Sequence, residues 1–84
     1  MSGYQEKARH CAGLFRLGRD VEAGVEMVAL FDGALPLFAA PALQQDAAAL
    51  LGQILAAQQR QDWIGVADSL EYELVNLIDQ AASA

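Results

Sequence analysis

Apolar residues recur every three or four positions in four separate runs of this 84-residue sequence. That spacing leaves room for little besides amphipathic helices packed on one another. The clearest run is Trp63, Val66, Leu70, Leu74, Leu77 and Ala81, flanked by Ala67 and Ile78, with Asp68, Tyr72, Asn76 and Asp79 opposite. Asp62 stands before it as an N-cap, so a helix is expected over 62–81. In the first run, Tyr4, Ala8, Cys11 and Phe15 share one face, which predicts a helix over 4–17. Gly18 follows as a left-handed cap, and Arg16 and Arg19 suit the negative pole of that helix. The third run is Leu43, Ala47, Leu50, Ile54 and Ala57, widened by Leu51 and Leu55. Its helix is expected over 41–58, opened by Pro41 in the first position and closed in the polar stretch Gln58 to Gln61.

The second run is different in kind. Asp20 reads as its N-cap, and the helix extends over 20–38 with a possible break near Pro36, which either ends it near Gly33 or kinks it. Val21, Val25, Val28 and Leu35 form one stripe. Ala23, Met27, Leu30, Phe31, Ala34 and Phe38 fill the sector beside it. Only Glu22, Glu26, Ala29 and Gly33 remain for water, so this helix should be central or should face a partner. Its large side chains Met27, Phe31, Leu35 and Phe38 are the expected interaction surface.

Five Val, three Ile and no Thr leave little for strands. The fold class expected is all-α: one domain over 1–84, a small up-down bundle of about four helices arranged as two helical hairpins. A duplication would suit two hairpins. Shifting the chain by 41 residues pairs Arg19 with Arg60 and Gly24 with Gly65, but yields only six identities over 43 pairs, too few for a repeat. Gly24, Gly52 and Gly65 fall inside expected helices, where each costs up to ~1 kcal/mol relative to Ala. Close helix approach is the expected compensation.

Charge is divided along the chain. Residues 1–19 carry Lys7, Arg9, Arg16 and Arg19 against Glu6, whereas ten acids face Arg60 alone over 20–84, for a net charge of −6. So few cations disfavour nucleic acid and anionic membrane surfaces as partners. The longest nearly uncharged stretch, 33–45, is interrupted by Pro36 and Pro41 and is too short to span a bilayer. With Cys11 the only cysteine, no internal disulfide can form, and with no signal sequence evident, a reducing cytoplasm is expected. Glu71 and Asp32 stand at the edges of apolar arcs, where a carboxylate costs free energy unless paired. Arg16 or Arg9 is the expected partner of Glu71.

No catalytic, cofactor-binding or metal-binding residue is assigned. His10 and Cys11 are adjacent on a helix and point about 100° apart, so they do not converge on a metal or form a nucleophile–base pair. No Glu-x-x-His pair and no phosphate-binding glycine loop occurs. The expectation is therefore a protein that is not an enzyme and needs no cofactor.

The segment Asp62-Trp63-Ile64-Gly65-Val66-Ala67-Asp68-Ser69-Leu70-Glu71-Tyr72-Glu73-Leu74 resembles one found in small helical bacterial proteins of no assigned function. In size, acidity and helicity the chain is similar to the small chaperones of flagellar and type III export systems. The function expected is an interaction module, adaptor or chaperone-like, that forms a homodimer or higher oligomer, binds a partner helix, or does both. The alternatives are a purely structural oligomer without a client, or a small metal-binding or enzymatic bundle.

Overall fold

The computed structural model describes residues 3–83. Four helices make an all-α bundle, and no strand occurs among the described residues. Helix α1 is Tyr4–Arg16 and α2 is Asp20–Ala34, followed by a 3₁₀ turn, Leu35–Leu37. Helix α3 is Pro41–Gln59. The last helix, α4, spans residues 63–83: it starts as Trp63–Asp68, passes through a π-helical turn, Ser69–Leu74, and continues as Val75–Ser83.

The α1–α2 and α3–α4 connections use the same device. After α1, the Arg19 N–H donates to Leu14 O at 3.0 Å and the Gly18 N–H to Phe15 O at 3.1 Å. After α3, the Asp62 N–H donates to Ala57 O and the Gln61 N–H to Gln58 O, both at 2.9 Å. These are the two bonds of the Schellman motif, which needs one left-handed residue just past the helix. Gly18 supplies it with φ 77° and Gln61 with φ 57°. The first hairpin uses the residue type that suits the turn, and the second does not.

Local chemistry sets the other boundaries. The Asp62 carboxylate accepts from the Gly65 N–H at 3.0 Å and caps α4. A side chain at Gly65 would collide with that carboxylate, which gives this glycine its reason. Asp20 is the first residue of α2 and not its cap; Arg19 holds that position, and no side chain caps the end. The acid instead stands in the first turn, where it meets the positive pole of the helix. Pro36 ends the α-helical hydrogen bonding of α2 and sits in the 3₁₀ turn. Gly24 and Gly52 have nothing within 4 Å of where a Cβ would stand, so close helix approach explains neither. It does occur at Gly33, where a Cβ would meet the Tyr4 ring.

The core is the meeting place of the predicted faces. Phe15, Phe38, Ile54, Leu70, Leu74 and Ile78 are fully buried, and among the described residues no polar side chain joins them. Trp63 packs on this core from its edge and stacks on Phe15, with ring centroids 5.9 Å apart. Helices approach closely as α1 with α2, α1 with α4 and α3 with α4, while the backbones of α2 and α3 stay apart. The chain exposes 4948 Å², close to the ~4,900 Å² of a folded monomer of its mass.

Candidate functional site

The outer face of α2 is where the fold leaves apolar surface uncovered. Val21, Val25 and Val28 are 78%, 67% and 69% exposed, and Leu35 is 49% exposed. Their spacing of four, three and seven keeps them on one line along the helix. Beside this line α2 and α3 diverge around a groove of about 310 Å³. Met27 and Phe31 form its floor, with Val28 and Leu35 along one wall and Leu51 and Leu55 along the other. Asp32 is the one charged side chain in the lining.

The expected interaction surface therefore needs correction. Met27, Phe31 and Phe38 are 4%, 5% and 1% exposed and belong to the core; of the four residues expected, Leu35 alone is exposed. The physical reason is volume. Ala23, Met27, Leu30, Phe31 and Ala34 together make the buried face of α2, its large side chains filling the interior and its alanines allowing close packing, and Val21, Val25 and Val28 are left on the opposite side. Met27 and Phe31 still reach the groove, but from below. Val21, Val25 and Val28, a stripe in the sequence, and Leu51 and Leu55, which widen the face of α3, are not among the residues expected at that surface. Asp32 carries the missed signal: it falls between Val21 and Val25 in projection, and a carboxylate within a stripe marks that stripe as the one facing water.

A second cluster binds α1 to α4. Arg16 Nη2 donates to Asp68 Oδ1 at 2.8 Å and lies 3.7 Å from Glu71 Oε1. Arg16 is thus the arginine that reaches Glu71, though its shorter bond is to Asp68. Arg9 does not pair with Glu71: its guanidinium donates to Glu6 at 2.7 Å, one turn away on its own helix. The hydrogen bond that Arg16 donates to Asp68, with the neighbouring carboxylates, pushes the Arg16 pKa up. Tyr72 is raised as well, first by its hydrogen bond to Glu71. At the other end of the same seam, Gln5 Nε2 donates to Asp79 Oδ1 at 3.0 Å. This cluster is an ion-pair network at a helix seam. A broader depression of about 710 Å³ lies along α4, between residues that mostly carry charged or polar ends, Arg9, Glu71, Glu73, Asn76 and Asp79 among them.

Cys11 is buried, and its thiol donates to the Ala23 carbonyl at 3.3 Å. Burial, with Glu26 nearby, pushes its pKa up to about 12. A thiol held protonated in this way is a poor nucleophile and a poor metal ligand. Among the described residues, no three His, Cys, Asp or Glu side chains gather as a metal site requires. Among those residues, too, no helix is long and apolar enough to cross a membrane. In comparisons with known proteins, the chain matches no family model, no curated protein and no solved structure.

Proposed function

We propose that this chain is a small protein-interaction module, adaptor or chaperone-like, that receives a partner helix on the face built by α2 and α3. One observation carries the reading: the exposed line Val21, Val25, Val28 runs beside an apolar groove in a bundle that has already buried its core. Contiguous apolar surface on a small soluble domain marks an interaction site, because leaving it in water gains nothing for the fold. A groove between two helices suits an amphipathic helix, whose apolar side chains enter at every third or fourth residue.

Self-association is the second reading. The four-three spacing of Val21, Val25 and Val28 resembles the seam of a helix pair, and two such seams bury one another. The likeness to export chaperones rests on size, acidity and helicity alone and adds nothing to the choice. A cytoplasmic location belongs to the same proposal; it rests on the single cysteine, which can form no internal disulfide.

The test is to charge the face without touching the core. Val25→Glu and Leu55→Glu should leave the helical circular dichroism intact. They should abolish both cross-linking to partner proteins and any dimer seen by light scattering. Capture and mass unchanged in both variants would place the interaction elsewhere.

A further inference from the structure

The groove is apolar, but its surroundings are not neutral. Helices α2 and α3 together contain Asp20, Glu22, Glu26, Asp32 and Asp46 and no lysine or arginine; of these Asp32 lines the groove, while Glu26 lines a recess beside Lys7 and Asp46 one beside Glu73. Arg19, at the start of α2, is 3.8 Å from Glu22. Asp32 lies in the lining itself and, among the described residues, makes no ion pair. Covering it with an apolar helix would strip water from a carboxylate with no counter-charge, a loss that a cation on the incoming helix prevents.

This charge distribution decides between occupants. A second copy seated through the same face would bring together two groove linings that each hold an Asp32 and neither of which holds a lysine or arginine. Like charges across an interface oppose association. Resting on the reading that this face receives a helix, we infer that its occupant is a cationic amphipathic helix of a partner protein. That helix carries apolar residues on one stripe, lysine or arginine along its edges, and one cation that reaches Asp32. The line from Val21 to Leu35 is roughly 20 Å long, enough for about four helical turns.

The probes are two labelled peptides of about 18 residues, long enough to form helix when bound. They share one leucine stripe; one has lysine along its edges and the other glutamate. Fluorescence anisotropy against the full chain should show the lysine peptide binding at least about tenfold tighter, with affinity falling in salt. Asp32→Asn should weaken that binding several-fold and flatten its salt dependence. Leu55→Glu should abolish it, and Glu73→Gln on α4, an exposed acid outside the groove, should leave it unchanged. Equal binding of the two peptides overturns the inference, as does a loss from Glu73→Gln as large as that from Asp32→Asn. If neither peptide binds but light scattering shows a dimer that Val25→Glu dissociates, the occupant is a second copy. The inference then falls while the interaction face stands. If neither binds and Val25→Glu alters neither mass nor cross-linking, both fall.

Discussion

Cys11 shows how a single residue couples folding to pH. Its pKa rises from the ordinary 9.0 to about 12 in the fold, because burial disfavours the thiolate. Between these values the unfolded chain loses a proton that the folded chain keeps, so stability falls as pH rises, by about 1.4 kcal/mol per unit. Below pH 9 the group is protonated in both states and contributes no slope. Thermal melts from pH 8 upward should show this decline, and Cys11→Ala should remove the part due to the thiol. A thiol reagent at pH 8 should label Cys11 only as fast as the protein opens. Arg16 makes a different residue-scale prediction. Double-mutant cycles should give coupling to Asp68 larger than to Glu71, each ~1 kcal/mol or less and shrinking in salt. Arg9→Gln and Glu71→Gln should be additive, since Arg9 is held by Glu6.

Among the elements, the two hairpin turns offer a natural comparison. Gln61 takes a left-handed conformation that costs a residue with a side chain roughly 1–2 kcal/mol. Gln61→Gly should therefore raise the unfolding free energy by up to about 1 kcal/mol in chemical denaturation, the glycine giving back part of the gain through its freer unfolded chain. Asp62→Ala, one residue on, should lower it by ~1 kcal/mol through loss of the cap. Leu70→Ala, in the fully buried face of α4, should cost ~2–5 kcal/mol. Trp63→Ala removes the stack on Phe15 and should also destabilise, and the same melts measure it. The face of α4 was legible in sequence because polar residues alternate with it at helical spacing. The orientation of α2 was not, since a helix apolar nearly all round fixes angles between side chains without fixing which side faces inward. The π turn from Ser69 to Leu74 left no mark either: it contains neither glycine nor proline. The pairing of Arg16 with Asp68 was hidden because Asp68 lies on the polar side of α4, and a long arginine reaches around to it.

For the whole molecule, the all-α bundle of two hairpins followed from periodicity and short connections, whereas the open side between α2 and α3 did not. Openness depends on how two hairpins dock, which spacing within each helix cannot encode. The consequence for stability is asymmetric. Val25→Glu should shift the unfolding free energy by no more than about 0.5 kcal/mol, because Val25 is already in water. Replacing Phe31 by Ala should cost ~3–5 kcal/mol. Calorimetry on the pair separates surface from floor along a single helix. The same architecture has a mechanical side. The hairpins are fastened edge to edge along α1 and α4, by core packing and by Arg16–Asp68 and Gln5–Asp79 near the two ends, and where the 3₁₀ turn meets the last part of α4, while α2 and α3 are not among the closely packed pairs. A body fastened along one edge is softest to bending about that edge. The width of the groove and the angle at the seam are then one coordinate, so whatever wedges the groove open loads the ion pairs on the far side of the bundle.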